Sequence, residues 1–304
     1  MKPTITHLIK HSSIEVTPKG ALSVANVADF LQPNTPVYVT ALPGMDFADT
    51  LHTCKRLANE GMIPVPHFTA RRFKNRAQLE LQLATATEEC GVTQILALAG
   101  ADKQPAGAFS DTISMLETGL FEKYGIQSIG IAAHPEGCPD IAPASLKAHK
   151  QRKIQFSEVS EIDMYMVTQF VFEAQPIIDW IERIREEGNP LAVHVGIPGI
   201  ASLRSLIGHA QACGIGASKN LLLKQAKNIH KLLSLQAPNK LIRDLADYTL
   251  KTPEAKITGC HLFPLGGFEQ TAKWRSAIAK GQFELTADGF ELHYCKKCHL
   301  VGNR

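Results

Sequence analysis

Short apolar runs alternate with longer amphipathic segments along most of the chain. Each run is rich in β-branched and aromatic residues, as buried strands are, and each following segment carries apolar residues at helical spacing. The predicted strands lie near 12–18, 36–43, 62–70, 94–100, 128–136, 164–173, 191–198 and 256–265. The predicted helices lie near 21–31, 48–60, 76–90, 109–123, 144–156, 176–187, 202–213 and 269–280. The pattern is therefore strand, loop and helix, repeated.

This alternation predicts an α/β fold with a parallel sheet and right-handed crossovers. Eight units whose strands are apolar on both faces favour a single (β/α)8 TIM barrel. Extra helices are predicted between strand 7 and strand 8, near 219–233 and 239–250. We expect one domain over 1–304, with a peripheral tail from about 285. An open doubly wound sheet is the alternative, but no G-x-G-x-x-G follows a strand.

One polar residue interrupts the apolar run at 164–173, which reads M-Y-M-V-T-Q-F-V-F-E. A buried amide without a partner costs roughly 1–3 kcal/mol, so a core strand does not carry Gln169 by default. Either neighbouring backbone satisfies the amide, or Gln169 stands toward the strand end and a ligand supplies its partner. We favour the second interpretation.

Composition and charge narrow the class of protein. The chain has 304 residues, 44% of them hydrophobic, and a net charge of +3, which argues against a nucleic-acid partner. The densest basic run, 147–153, has the spacing of a solvated helix face, with a phosphate contact as the alternative. Seven cysteines, an odd number, suit reduced thiols. No signal peptide or membrane-spanning run is evident, so we expect a cytoplasmic protein without a membrane partner.

Polar residues recur late in the predicted strands. In such barrels the active site is built at the C-terminal strand ends, so these residues predict a ligand site. Glu15 could instead form a rim salt bridge, His67 a core hydrogen bond, and Asp102 a cap. His194, in the middle of its strand, is interpreted as structural. The strand-end candidates are Glu15, His67, Asp102, His134, Glu136, Gln169 and His261 with Phe263.

Two rival chemistries have little support in the sequence. No H-x-H or H-E-x-x-H stands at these strand ends, so no metal is predicted. No lysine lies near the C-terminal end of a strand, which argues against a Schiff-base aldolase. The C-x-x-C of Cys295 and Cys298 is half of a zinc site at best, and an unligated tail is favoured.

Six short motifs in register with the predicted strands resemble the methylenetetrahydrofolate reductase family. They are I-E-V-T-P (14–18), P-H-F-T-A (66–70), L-A-L-A-G-A-D (96–102), A-A-H-P-E (132–136), V-T-Q-F-V-F (167–172) and H-L-F-P-L-G-G (261–267). The resemblance spans roughly 14–274. The segments H-V-G-I-P-G-I-A-S-L and C-G-I-G-A-S look like the short branch that has only the catalytic domain.

The resemblance implies an oxidoreductase of one-carbon metabolism. It would use NADH or NADPH to reduce 5,10-methylenetetrahydrofolate to 5-methyltetrahydrofolate, with the hydride relayed through FAD. By position, Glu15 matches the general acid and Asp102 an aspartate near flavin and pterin. Gln169 matches the residue that hydrogen-bonds the folate. The matched apolar substrate contacts are Phe172, Phe263 and Leu265, and the matched flavin contacts are His67, Gly100, Ala132, His134 and Lys150. Oligomeric state stays open.

The chain departs from the well-known flavoenzymes at three positions of the flavin site. It has Ala99 where they have the arginine of R-G-D, His134 where they have a tyrosine, and Cys138 where they have a histidine. Some short-branch members are thought to transfer hydride from NADH without flavin, and this alternative stays open. So do a pterin-dependent methyltransferase of the same fold and a folate-binding protein without catalysis. Glu15 argues against the non-catalytic folate-binding protein, because a protein that only binds folate needs no buried proton donor.

Overall fold

A computed structural model of the chain describes residues 1–42, 44–138, 141–212 and 235–293. Eight parallel strands close into a barrel in the spatial order β1-β10-β7-β6-β5-β4-β3-β2, and helices are interleaved with them. The predicted TIM barrel is thus confirmed. The barrel strands are β1 (Ser13–Val16), β2 (Pro36–Val39), β3 (Ile63–Thr69), β4 (Gln94–Leu98), β5 (Ser128–Ala133), β6 (Asp163–Phe170), β7 (Ala192–Pro198) and β10 (Ile257–Phe263).

Most helices begin and end within a few residues of their predicted bounds, and Arg76–Cys90 agrees at both ends. The helix at 239–250 is confirmed as Asn239–Lys251, whereas 219–233 lies outside the described residues. The α-helices are α1 (Lys2–Lys10), α2 (Pro18–Leu22), α3 (Phe47–Asn59), α4 (Arg76–Cys90), α5 (Thr112–Leu116), α6 (Leu120–Lys123), α7 (Pro143–Val159), α8 (Ala174–Glu186), α9 (Leu203–Ala212), α10 (Asn239–Lys251) and α11 (Phe268–Ala279).

Two predicted helices are wrong as single elements. The segment 109–123 breaks into α5 and α6, because Gly119 takes a left-handed conformation at φ +67° between them. The segment 21–31 is only the end of α2 followed by a 3-10 turn, Val27–Asp29. The side chain of Asn26 caps that turn by accepting from the Ala28 N–H.

The structure adds elements at both ends of the described chain. Helix α1, which was not predicted, precedes the first strand. Near the other end, β11 (Phe283–Leu285) and β12 (Phe290–Leu292) form an antiparallel hairpin. Phe283 and Phe290 are buried in it, so the chain stays packed beyond the expected start of a peripheral tail at 285. A small ladder joins β8 (Ala201–Ser202) to β9 (Leu235–Gln236).

The chain packs as two compact units. Unit 1 contains 1–12, 134–146 and 168–304, and unit 2 contains 13–133 and 147–167. Unit 1 joins the two ends of the sequence: the Arg275 guanidinium of α11 donates to the Ser12 hydroxyl at 2.9 Å and to the main-chain oxygens of Lys10 and Ser12. The expectation of one domain over 1–304 stays a prediction.

One contact in unit 2 fixes which strand face points inward. The hydroxyls of Tyr38 on β2 and Tyr165 on β6 lie 2.5 Å apart. In the strand order these two strands are four places apart in either direction, so their side chains can meet only across the barrel interior. Glu15 is the register partner of Tyr38 and therefore also points inward. Val65 pairs with Tyr38 as well, so His67, two residues later, shares this inner face.

Candidate functional site

Glu15 and His67 form the most direct contact among the predicted site residues. Oε2 of Glu15 lies 3.7 Å from Nε2 of His67, which is within ion-pair range when the ring is protonated. The two strands that carry them are separated by β2, and the contact is made because both side chains point inward past it. The Glu15 side chain is 21% exposed and that of His67 is 9% exposed. A carboxyl group thus reaches solvent beside a buried imidazole.

Gly100 and Asp102 lie together on the loop after β4. Gly100 has φ +105°, and a Cβ there would stand 2.4 Å from Cγ2 of Thr69, so only glycine fits. Arg71 holds this loop. Its Nη1 donates to the Asp102 main-chain oxygen at 3.1 Å and its Nε to that of Ser110 at 2.8 Å. Its main-chain groups bond those of Ala99 and Ala106. Arg71 has no signal in the sequence, because main-chain acceptors leave no motif.

Ala132 lies near the end of β5, where a lysine from α7 meets it. Nζ of Lys153 donates to the Ala132 main-chain oxygen at 3.3 Å. Burial lowers the pKa of Lys153 to about 8, although the nearby Asp111 carboxylate acts in the other direction. Lys150, the predicted contact, lies one turn earlier on the same helix. The expectation of a wholly solvated basic face thus fails at Lys153, where the helix packs on the strand end.

Further along α7, the basic run meets acidic side chains. Arg152 lies 3.2 Å from the Asp111 carboxylate and 3.5 Å from that of Glu117. His149 Nδ1 lies 3.8 Å from Asp111. These pairs occupy the charge that Arg152 and His149 bring to the run.

His134, Glu136 and Cys138 follow β5 in unit 1. The Gly137 N–H donates to the main-chain oxygen of His134 at 3.1 Å, which makes the segment a turn. All three side chains are partly exposed, and Cys138 is a free thiol. The departure from the family pattern at His134 and Cys138 is therefore located on a partly exposed turn.

Gln169 is the seventh of the eight residues of β6 and is partly exposed, whereas its neighbours Thr168 and Phe170 are buried. The Thr168 hydroxyl donates to the Gln169 main-chain oxygen at 2.8 Å and accepts from the Gly196 N–H at 2.8 Å. A Cβ on Gly196 would lie 2.4 Å from the Thr168 main-chain oxygen, so β7 approaches this strand closely only because residue 196 is glycine. The Gln169 backbone is thus fixed while its side chain reaches the strand end.

The predicted apolar contacts also lie in unit 1. Phe172 and Leu265 pack against a cluster of buried residues on β8 and α9. Phe263 stacks edge-on against Phe170 at 5.4 Å and His261 at 4.5 Å. Leu265 has φ +51°, a left-handed conformation that costs a branched residue about 1–3 kcal/mol and persists only where its surroundings hold it. The Ser205 hydroxyl donates to the Leu265 main-chain oxygen at 3.0 Å, and this bond helps to hold it.

Two histidines lie on the paired strands β7 and β10. His261 is fully buried and His194 is half-buried, and the structural role of His194 stays a prediction. Burial, with a smaller electrostatic contribution from His261, lowers the pKa of His194 to about 4. His194 is therefore neutral at physiological pH.

Partial exposure is common to nearly all the predicted site residues. Only His67 is buried; the other ten are Glu15, Gly100, Asp102, Ala132, His134, Lys150, Gln169, Phe172, Phe263 and Leu265. Within the described ranges, no three His, Cys, Asp or Glu side chains are grouped so as to hold a metal ion. Cys295 and Cys298 lie outside those ranges. None of the described helices is both long and apolar enough to cross a bilayer.

Comparison with known proteins identifies the family. The sequence profile of methylenetetrahydrofolate reductase matches residues 12–263. Among solved structures, a protein from Clostridium thermocellum described as binding two copies of 5-methyl-5,6,7,8-tetrahydrofolic acid superposes with a TM-score of 0.54 at 11% identity, covering 90% of this chain and 96% of its own. A sugar phosphate isomerase/epimerase from Parabacteroides distasonis reaches 0.40 at 12% identity, covering 88% and 94%. At 11% identity, the likeness to the first of these structures concerns the fold.

Proposed function

Because this chain belongs to the methylenetetrahydrofolate reductase family, we propose that it reduces 5,10-methylenetetrahydrofolate to 5-methyltetrahydrofolate with NADH or NADPH. In this reaction NAD(P)H supplies the hydride, a proton is taken up, and NAD(P)⁺ is released. The observation that carries the proposal is the inward-facing pair of Glu15 and His67, 3.7 Å apart within the matched region. A folate reductase needs a proton donor at this kind of position, and a passive binder does not.

Glu15 is the proposed general acid. Its carboxyl group delivers a proton to N10 of the folate, so that the bond between N10 and the bridging carbon breaks and an iminium forms at N5. Hydride addition to that carbon then gives the methyl group. Nε2 of His67 lies 3.7 Å from the carboxyl group, so His67 is suited to pass a proton back to Glu15 after turnover.

Gln169 and the apolar residues near it are the proposed substrate contacts. The Gln169 amide has both donors and an acceptor, which match the mixed edge of a pterin ring. Phe172, Phe263 and Leu265 supply apolar surface, and all three are partly exposed rather than sealed in the core. The strained φ of Leu265 is consistent with a functional position. The folate bound by the structural neighbour is the proposed product, which supports the substrate class.

FAD is the proposed hydride carrier, and Gly100 and Lys153 fit a flavin nucleotide. Gly100 offers main chain without a side chain at the end of β4, and Lys153 places a cation beside Ala132 at the end of β5. His67, Gly100, Ala132, His134 and Lys150 would hold the flavin, and Lys153 would add a cation suited to its phosphates. When bound, the flavin would supply hydride transfer between NAD(P)H and the folate.

Direct hydride transfer from NADH to the same folate is the second candidate. It is favoured by the three departures at Ala99, His134 and Cys138, which remove an arginine, an aromatic ring and a histidine from the family's flavin site. The roles of Glu15 and Gln169 are the same in both candidates. The pterin-dependent methyltransferase differs, because it would hand the methyl group to a corrinoid or a thiol.

The test is an anaerobic assay of the purified protein with 5,10-methylenetetrahydrofolate and either nicotinamide, in which 5-methyltetrahydrofolate is quantified by mass spectrometry. We expect the product to form, together with an absorption spectrum that contains oxidised-flavin bands. A colourless protein that still forms the product would favour direct transfer. Absence of the product with both nicotinamides, even after added FAD, would overturn the proposed function.

A further inference from the structure

The tyrosine pair that crosses the barrel interior has no part in the function described so far. Tyr38 and Tyr165 come from opposite strands, their hydroxyls are 2.5 Å apart, and their exposed fractions are 1% and 7%. Cores are normally filled by aliphatic side chains, and a buried hydroxyl is tolerated only when it is hydrogen-bonded. Two phenols that meet in the interior of a barrel therefore call for an explanation.

The pair is held as a neutral hydrogen bond. Burial raises the pKa of Tyr38 well above its ordinary value and that of Tyr165 to about 12. Both phenols thus keep their protons at physiological pH. The Ser13 side chain also hydrogen-bonds Tyr38, so the Tyr38 hydroxyl is joined to neighbours on two strands, β1 and β6. This arrangement leaves the Tyr38 ring little freedom to rotate.

The sequence also makes room for the pair. A Cβ on Gly130 of β5 would stand 3.2 Å from Cζ of Tyr165 and 3.0 Å from Cδ1 of Leu96. Such distances are tighter than ordinary contacts, so glycine at this position lets the Tyr165 ring extend across the interior.

One member of the pair, Tyr38, lies beside the proposed proton donor and its partner. The Tyr38 ring lies edge-on to the His67 ring, with centroids 6.2 Å apart and an interplanar angle of 82°. Tyr38 is also the register neighbour of Glu15. On the other side of His67, the register partners are Leu96 on β4 and then Gly130 on β5, which carry no titratable group. Strands β1 and β2 bring two titratable side chains to His67, Glu15 and Tyr38. Tyr165 on β6 is bonded to Tyr38 on the side away from His67.

We propose that Tyr38 and Tyr165 are positioning residues whose hydroxyl contact fixes the His67 ring, and through it the carboxyl group of Glu15. The proposal rests on the proposed function, in which Glu15 protonates the folate. The hydrogen bond anchors the Tyr38 ring at its far end, and its edge sets the plane of His67. Since a misplacement of about 1 Å can cost roughly 100-fold in rate, a buried contact of this kind can matter for turnover without touching the substrate.

Three variants test this inference: Tyr38→Phe, Tyr165→Phe and the double variant. Each keeps both rings and removes one or both hydroxyls. Tyr124→Phe is the matched control, because the Tyr124 hydroxyl also makes a hydrogen bond, to Glu80 at 3.2 Å, but from the residue that follows α6. The measurements are kcat, the KM for folate, the pH profile of kcat, the urea midpoint, and the ¹⁵N chemical shifts of the His67 ring in the resting protein.

Each single variant should lower kcat by about tenfold or more while the KM for folate stays within about threefold. The kcat of the double variant should be no lower than that of either single variant, because all three variants remove the same contact. The pH profile of kcat and the His67 ring shifts should change in both single variants, and Tyr124→Phe should leave them as in the parent protein.

A purely packing role would give a different result. If both single variants unfold at lower urea but keep the parent kcat and the parent His67 shifts, the positioning role is wrong. If the parent protein reduces no folate, the proposed function is wrong. The ¹⁵N shifts of His67 in the variants then decide by themselves whether the tyrosine pair fixes the orientation of the His67 ring.

Discussion

The guanidinium of Arg71 donates to the main-chain oxygen of Asp102 at 3.1 Å. With its bond to Ser110 and its two main-chain bonds, this residue fastens the loop after β4 at several points. Arg71→Lys should lower kcat by about tenfold, because an ammonium cannot reach two separated acceptors as a planar guanidinium does. Hydrogen exchange of 99–110 should become faster in the variant.

The control for Arg71 is Arg76→Lys, which alters another arginine bonded to a main-chain oxygen, that of Thr118 at 2.6 Å. It should leave kcat and exchange in the loop at the level of the parent. Equal losses of kcat in Arg71→Lys and Arg76→Lys would mean that the bond between Arg71 and Asp102 has no special effect on turnover.

Glu15→Gln should lower the rate of folate reduction by about 100-fold or more, because the amide cannot donate the proton that opens the methylene bridge. Binding of the folate should persist, since the amide has nearly the shape of the carboxyl group. Turnover and folate affinity are measured separately, by product formation and by calorimetry. Near-normal turnover in this variant would remove Glu15 from the role of general acid.

Gln169→Ala should raise the KM for folate by about tenfold, since a hydrogen-bonded contact is worth about 1–2 kcal/mol. Oxidation of NAD(P)H by an artificial acceptor should change little. Gln175→Ala is the matched control, because Gln175 bonds Asp179 at 2.7 Å on the exposed surface of α8. If both reactions fall equally in Gln169→Ala, the residue maintains the barrel and does not contact the folate.

His194 should make stability depend on pH. Its pKa is lowered to about 4 in the folded protein, against an ordinary value of 6.5. Between these values the unfolded chain binds the proton and the folded chain does not, so stability is full above pH 6.5 and falls as the pH drops toward 4. The loss is at most about 3 kcal/mol. Urea unfolding between pH 4.5 and 7.5 measures it.

A His194→Gln variant should flatten this pH dependence, whereas replacement of the exposed His52 by glutamine should not. If the free energy of unfolding falls with pH as steeply in His194→Gln as in the parent, other groups are responsible for the acid sensitivity.

Arg275→Met should lower the free energy of unfolding by about 2–4 kcal/mol, because three bonds to Lys10 and Ser12 are lost from a buried site. Burial lowers the pKa of Arg275 to about 10, so it stays charged at neutral pH. Arg243→Met is the control: Arg243 bonds the Thr286 main-chain oxygen from an exposed position. Similar losses in the free energy of unfolding for Arg275→Met and Arg243→Met would contradict a special role for Arg275.

The barrel itself was predictable because its signals are local. Strand and helix periods alternate along the chain, and glycines such as Gly61 and Gly91 end the helices they follow. The break in 109–123 was also visible in principle, since Gly119 stands inside the segment and the capping box of Asp111 with Ser114 marks a new start. Glu15 and Gln169 could be singled out because a polar residue in an apolar strand is unusual.

The relations between distant residues could not be predicted. Tyr38 and Tyr165 look like ordinary strand aromatics until the barrel closes and places β2 opposite β6. Lys153 belongs to a run with the spacing of a solvated face, and only the packing of α7 on β5 turns it toward Ala132. Arg71 bonds main-chain oxygens, which exist at every residue and therefore carry no sequence signal.

The bond between Ser12 and Arg275 spans 263 positions. Helix α1 packs on α10 and α11, so the surface against which it buries Ile5, Leu8 and Ile9 is synthesised much later than the helix itself. At about 5–20 residues per second, this apolar helix waits roughly 10–50 s on the ribosome before its docking surface exists. Helix α1 thus emerges long before the surface that buries it, and its apolar side chains are exposed to chaperones in the meantime.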